Sequence, residues 1–319
     1  MNSWKLVANQ AGQDCVQPTV SVVVSLYNYS AYIRSCLDSV SVSKTHGLPG
    51  GFEVVVVDDR STDDSVKVVE QYMAASPMPI RLVTKQANSG LADTRNLGLV
   101  LARAPLVFIL DADNEIRPDC LREHYLALVK SDHAMAYGII NRFDNATRAS
   151  LGTLSDCAWE TTRLLGGPCI DAMAMIRRET VLHHGGYSTE YGSFLPQGWE
   201  DYDLWLKLAQ AGHSGIFISK VLSDYRVHGQ SMLQKLTPYQ GRLAAHFTRK
   251  FLPLVARHAD LPVLFGIPRQ ELAVYCAEGR GMQFQFEKRP ARFIHRVLGQ
   301  KFSHSLCKRL AALYCWLHP

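Results

Sequence analysis

The sequence predicts an α/β protein: a doubly wound, mostly parallel sheet flanked by helices, with a C-terminal helical extension. Three observations predict it. Apolar runs rich in β-branched residues are continuous rather than alternating, as in strands buried on both faces. Segments of helical periodicity alternate with these runs at short intervals, which gives parallel strands joined by crossover helices. Several runs also end in polar or acidic clusters, and such sheets bind ligands beyond the carboxyl ends of their strands.

Residues 1–18 are polar and read as a frayed N-terminal arm. Val20–Leu26 is the first buried strand, ending in Tyr27-Asn28-Tyr29-Ser30. The next segment places Tyr32, Ile33, Cys36, Leu37 and Val40 at helical spacing, and a glycine-rich loop at 47–51 follows. Strand 52–57 runs into Asp58-Asp59-Arg60-Ser61-Thr62-Asp63. Helix 64–75, strand 80–84 and helix 90–103 lead to strand 106–110, which ends in Asp111-Ala112-Asp113. Beyond it the pattern gives strand 135–140, a helix over 151–165, an alternating strand over 170–176 and a short helix over 178–183. A turn at Gly185-Gly186-Tyr187 precedes a helix that opens with Trp199-Glu200-Asp201-Tyr202-Asp203 and runs to 211. Strand 215–218 and Tyr225-Arg226-Val227-His228 close this part. From 236 onward the pattern is helical, broken by Pro253, Pro262, Pro268 and Pro290. The expected units are an arm over 1–18, a catalytic α/β domain over 19–234 and a basic helical region over 235–319.

Hydrophobic residues make up 47% and charged residues 20% of the 319, which excludes disorder and collagen-like or coiled-coil architecture as dominant states. No apolar run approaches the roughly 20 residues that span a bilayer, and the first residues lack the pattern of a secretory signal. The expected location is therefore cytoplasmic, with possible peripheral attachment to the inner face of the membrane. The net charge of +5 hides an asymmetry: residues 235–319 carry 14 Lys and Arg against 4 Asp and Glu. Within them, Ile294, Val297, Leu298, Phe302, Leu306, Leu310, Leu313 and Leu317 recur at helical spacing among Arg292, Arg296, Lys301, Lys308 and Arg309. Such a helix suits an anionic membrane surface, or else docks on the catalytic domain. No feature points to nucleic acid. The 8 cysteines form no Cys-x-x-Cys pair and read as small hydrophobes in a reducing compartment.

The polar strand ends carry the candidate chemistry. Asp111 and Asp113 present carboxylates suited to a hard cation such as Mn²⁺ or Mg²⁺, with phosphate oxygens completing its shell. A solvated strand end is the plainer alternative. Asp58 and Asp59 can accept hydrogen bonds from a base or ribose, or can cap the next helix. Tyr27 can stack on a base or pack at the strand end. Glu200 and Asp201 sit where a helix dipole favours carboxylates, and one of them facing the crevice can act as a general base. His228 can bind metal or phosphate, or be a packed histidine. The chain lacks Gly-x-Gly-x-x-Gly after a strand, the P-loop sequence and Gly-x-Ser-x-Gly, which disfavours dehydrogenases, P-loop NTPases and α/β-hydrolases.

Taken together, these segments resemble family 2 of the inverting glycosyltransferases, which have the GT-A fold. The resemblance runs from about Thr19 to Met232 and also draws on Asn88-Ser89-Gly90-Leu91-Ala92, Thr94-Arg95-Asn96-Leu97-Gly98 and Glu200-Asp201-Tyr202-Asp203-Leu204. It implies a metal-dependent enzyme that moves one sugar from a nucleotide diphosphate sugar, with UDP the default, to a hydroxyl of a saccharide or lipid-linked acceptor. By the same resemblance, Tyr27 flanks the base and Asp59 holds it, with Asp58 alongside. Asp113 is the metal ligand, Asp111 lies near the ribose or metal, and His228 contacts metal or diphosphate. Asp201 is the catalytic base with Glu200 next to it, and Arg95 belongs to a recurrent Arg-Asn pair that contacts the cofactor region. Arg60 departs from the glycine usual in its motif. Members that polymerise processively carry Gln-x-x-Arg-Trp, which is absent here, so single-sugar transfer is expected. Trp159, Asp171 and Trp199 are candidates to line the acceptor side. A sugar-nucleotide pyrophosphorylase would need a glycine-rich loop where Tyr27-Asn28-Tyr29-Ser30 stands, and a silent nucleotide-binding module would have no need of Asp201.

Overall fold

The computed structural model describes residues 4–190, 198–229 and 239–277. Its elements in chain order are β1 (Trp4–Ala8), α1 (Gln10–Asp14), β2 (Val20–Leu26), α2 (Ile33–Ser41), β3 (Phe52–Asp58), α3 (Ser65–Ala75), β4 (Ile80–Lys85), α4 (Leu91–Leu101), β5 (Leu106–Asp111) and β6 (Glu115–Ile116). They continue with α5 (Cys120–Val129), β7 (Met135–Asp144), β8 (Ser150–Leu154), α6 (Thr161–Gly166), β9 (Ala174–Arg177), α7 (Arg178–His183), α8 (Glu200–Gln210) and β10 (Gly215–Val227). The C-terminal part holds α9 (Gln240–Lys250), α10 (Leu252–Ala256), the hairpin β11 (Val263–Leu264) and β12 (Ile267–Pro268), and α11 (Arg269–Ala277).

One mixed sheet runs β1-β4-β3-β2-β5-β9-β7-β10-β6, with β8 paired to β7. The four strands β4, β3, β2 and β5 are parallel, as are β7 and β10. Every residue of β2 and β3 is buried, and the continuous apolar runs explain how. Val22, Val24, Val54 and Val56 face a core completed by α2, α3 and α5. Val23, Val55 and Val57 face the opposite core, completed by α4, α6, α7, α8 and the C-terminal helices. The chain leaves β2 for β3 on one side and reaches β5 on the other. The carboxyl ends of these three strands therefore open onto one crevice at the point of reversal.

Four expectations change. The arm is not frayed from residue 4 onward: β1 pairs antiparallel to β4, and Asn9 fixes the arm by accepting from Ile80 N–H and donating to the Met78 carbonyl. A five-residue edge strand is too short for its alternation to stand out. The helix expected over 151–165 is a strand, β8, followed by the short α6. Because β8 is almost wholly exposed, no apolar pattern marks it. Residues 215–227 form one bulged strand rather than two pieces, and Pro268 lies in a hairpin rather than interrupting a helix. Helix α5 has no counterpart in the sequence reading. Residues 240–277 dock on the preceding α/β domain, with Phe265 N–H and Gly266 N–H donating to the Leu165 and Gly166 carbonyls at 2.7 Å. The basic stretch 290–318 lies outside the described residues.

Helix α4 approaches β2 so closely that a β-carbon at Gly98 would collide with Cγ1 of Val23. Alanine is the better helix former by about 1 kcal/mol. We nevertheless expect Gly98→Ala to destabilise by about 1–3 kcal/mol, the typical cost of overpacking. Chemical denaturation checks this, and Val23→Ala in the same chain should recover part of the loss.

Candidate active site

Arg95, 2% exposed in α4, stands behind the crevice. One guanidinium nitrogen donates to Asp111 Oδ1 at the end of β5, and the other to Glu200 Oε1 in the first turn of α8, both at 2.8 Å. The Tyr187 ring lies 5.4 Å from the guanidinium carbon. Burial alone would weaken this cation, but the carboxylates of Asp111 and Glu200 more than reverse that and keep it charged. Ser25 of β2 adds a 3.0 Å hydrogen bond to the same Asp111 oxygen. Arg95 and Glu200, expected beside the cofactor, thus form a strut that ties β5 to α8.

The second group is Asp113 with His228, whose Nε2 lies 2.9 Å from Asp113 Oδ2. Tyr32 packs against the imidazole with ring centres 4.7 Å apart, and Tyr29 meets it edge-on. Arg226 locks the loop that carries Asp113. Its backbone N–H and side chain donate to Asn114 Oδ1 and to the Asp113 carbonyl, and it pairs with Glu115. Among the described residues, no three His, Cys, Asp or Glu side chains gather round a common point. Asp113 and His228 are a pair, and both hydrogen bonds to Asp111 use only its Oδ1. A hard cation that also takes substrate phosphate oxygens and water needs only one or two carboxylates from the protein, so this donor set fits such an ion.

At the ends of β2 and β3 the expectations divide. Tyr27, just past the end of β2, is exposed. Asp58 is buried, accepts from Ser61 N–H, and has its carboxyl pushed up by burial. Asp59, expected to hold the base, has both oxygens engaged within the protein. They accept from Ser89 N–H and Gly90 N–H at 2.9 Å, and Lys85 pairs with the same carboxylate at 2.8 Å. Asp59 therefore anchors the turn that starts α4. Arg60 stands at φ 66°, the left-handed conformation that glycine adopts without strain, so the turn is retained without glycine.

Asp201 lies beside Glu200 in the first turn of α8. Burial, the Glu200 charge and the Asp171 charge raise its carboxyl well above the ordinary range. Asp171, half-buried, is itself pushed up to about 6 by burial and by Asp111. Of the three acceptor-side candidates, Asp171 thus reaches the acidic crevice. Trp159 is half-buried against the core, and Trp199 is buried under α9. Lys85 and Arg226 carried no role in the sequence reading. Lys85 could have been found as the polar end of a fourth strand. Nothing local to Arg226 marks its partners, which lie more than 80 positions away.

Comparison with known proteins follows this geometry. The profile of glycosyl transferase family 2 matches residues 21–182. The chain belongs to that family. Glycosyltransferase GlyA of Streptococcus pneumoniae is 32% identical over 132 residues, 41% of this chain and 18% of that protein. Chondroitin synthase of Escherichia coli is 26% identical over 221 residues, 67% of this chain and 30% of the synthase. The match thus spans less than a third of either relative's own length. Among solved structures, residues 1–349 of Staphylococcus aureus TarS in complex with UDP-GlcNAc superpose with a TM-score of 0.58 at 18% identity, covering 82% of this chain and 71% of that fragment. The fold is the GT-A fold, and the chain carries a glycosyl transferase family 2 domain.

Removing the strut cation leaves the buried Glu200 and the half-buried Asp111 carboxylates facing one another. We expect Arg95→Ala to cost about 3–5 kcal/mol at neutral pH, the usual penalty for orphaning a buried charge. Protonation of the orphaned carboxylates relieves the repulsion, so the cost should shrink when urea denaturation is repeated near pH 5.

Proposed function

We propose that this glycosyltransferase moves one sugar from a UDP-sugar to a hydroxyl of a saccharide or lipid-linked acceptor, with inversion at the anomeric carbon. The observation that carries the reading is the division of labour among the crevice carboxylates. Arg95 neutralises Asp111 and Glu200, while Asp201 keeps a raised carboxyl beside them. A general base works best when its pKa is near the working pH, and burial next to Glu200 and Asp171 moves Asp201 in that direction. Asp201 takes the proton of the acceptor hydroxyl. The acceptor oxygen forms its bond to the anomeric carbon from the face opposite the diphosphate, and the bond to the nucleoside diphosphate breaks with its electron pair. The exposed ring of Tyr27 stacks on the base, and the buried Asp58 borders the same end of the crevice.

Asp113 and His228, with Asp111 alongside, are the residues to hold Mn²⁺ or Mg²⁺. Such an ion supplies Lewis-acid neutralisation of the diphosphate. The chain's own residues set its place: Arg226 fixes the Asp113 loop, and Tyr32 fixes the imidazole. UDP-GlcNAc in TarS and the polysaccharide synthase among the relatives support the donor class and a role in cell-surface glycan assembly. Among the described residues no helix is long and apolar enough to cross a membrane. The basic sequence over 290–318 supports weak peripheral attachment to an anionic surface. Full-length protein should float with vesicles rich in anionic lipid at low salt and not with neutral vesicles; equal recovery from both ends that part of the reading.

UDP release should be measured over UDP-glucose, UDP-galactose, UDP-GlcNAc and UDP-glucuronic acid, with Mn²⁺, Mg²⁺ or a chelator. One donor should dominate, and chelation should abolish its turnover. Asp201→Asn should keep UDP affinity while turnover falls by about 10²–10⁴, the usual contribution of a general base. The acid limb of the rate should lie above the ordinary carboxylate value of about 4. Because the Asp171 charge raises Asp201, Asp171→Asn should move that limb to lower pH. An unmoved limb removes Asp201 as the titrating base.

A further inference from the structure

Trp199 has φ 67° and ψ 8°, a left-handed conformation in which a bulky residue is an outlier. Its carbonyl accepts the Asp203 N–H at 2.8 Å and so opens helix α8, whose first two residues are Glu200 and Asp201. Among the described residues, aromatic packing from the C-terminal extension and from Tyr202 of α8 supports this strained residue. Phe247 of α9 stacks on the Trp199 ring with centres 5.4 Å apart and planes 12° from parallel. Tyr202, one turn into α8, meets both rings edge-on at 5.5 and 5.4 Å. One helical turn further along α9, Lys250 pairs with Asp203 of α8 at 2.5 Å and donates to Ser188 at 3.0 Å. Lys250 and His246 also grip Glu190, whose carboxyl burial alone would raise but which their hydrogen bonds and the Lys250 charge hold down at about 2.

We propose that Phe247 is a positioning residue for the catalytic turn: by stacking on Trp199 it holds the left-handed residue from which Glu200 and Asp201 are aimed at the crevice. The extension α9 is thus part of the transfer apparatus without touching substrate. The placement of Asp201 rests on the base assignment made above, whereas the hold on the turn does not.

Two measurements separate those claims. The first is hydrogen–deuterium exchange on the full-length protein, which reports local opening without any substrate. Phe247→Leu keeps most of the buried volume but removes the stacking ring. It should speed exchange in a peptide covering 199–204 by about tenfold and leave peptides covering 20–26 and 106–111 within about twofold. Unchanged exchange at 199–204 overturns the proposal, and so does equal acceleration in all three peptides, since that is general destabilisation. The second is steady-state turnover with the best UDP-sugar of the panel. Phe247→Leu should lower kcat by about 10–10², the scale of a misplaced catalytic group, with KM for the donor within about threefold. Glycine accepts the left-handed conformation unaided. In the Trp199→Gly background, Phe247→Leu should therefore cost little further kcat, and a full additional loss overturns the proposal. If the wild-type chain turns over none of the donors, the donor reading fails and the exchange arm still decides whether Phe247 holds the turn.

Discussion

The site depends on a buried cation with two carboxylate partners. Arg95 comes from the first half of the sheet, and it reaches both the end of β5 and the first turn of α8, which belongs to the second half. An ammonium is a point charge on a flexible stem and would favour one partner. A planar guanidinium presents two nitrogens in fixed directions and holds both. A buried ion pair is a poor source of net stability, because desolvation offsets much of the attraction. What the Arg95 bridge contributes is relative position. It fixes the helix that carries Asp201 against the strand that carries Asp111, across a sheet whose middle contains antiparallel joins.

The double burial of β2, β3 and β5 was legible because it needs no partner information. A strand covered on both sides must be apolar at every position, and its carboxyl end must be polar where it meets a crevice. Tyr27, the two aspartates after β3 and the Asp111-x-Asp113 pair follow from that rule. The position of Asp201 at a helix start was also readable, since acidic residues in a first turn are favoured there. What could not be read are pairings between distant positions. Arg95 and Glu200 are separated by 105 residues. Asp59 looks like a ligand-reading carboxylate until Lys85, Ser89 and Gly90 are seen to occupy it. The exposed strand β8 and the edge strand β1 failed for another reason: a strand that buries little writes little pattern.

Three non-glycine residues around the crevice have positive φ: Asn28 after β2, Arg60 after β3 and Trp199 before α8. Each costs about 1–2 kcal/mol relative to a relaxed backbone. Their neighbours hold them in place. Asn28 N–H donates to Ser61 Oγ, and its side chain accepts from Thr62 N–H, so the turns after β2 and β3 hold one another. Trp199 is packed by the aromatic ring of Phe247 from α9. Strain at the ends of otherwise regular elements is a common feature of sites whose side chains must point in directions that relaxed ends do not offer.

The charge balance of the crevice explains why these carboxylates can differ in role. Asp111, Asp113, Asp171, Glu200 and Asp201 all lie in or border it, and a nucleotide diphosphate adds further negative charge. Arg95 is spent on Asp111 and Glu200, and His228 sits on Asp113. Among the described residues Asp201 and Asp171 have no direct cation, and of these five they are the two whose carboxyls are raised. If Arg95 paired with Asp201 instead, the attraction would lower its pKa and make it a weaker base. Selective neutralisation therefore does two things with one residue: it makes a dense acidic cluster tolerable, and it leaves Asp201, the second residue of α8, with its raised carboxyl.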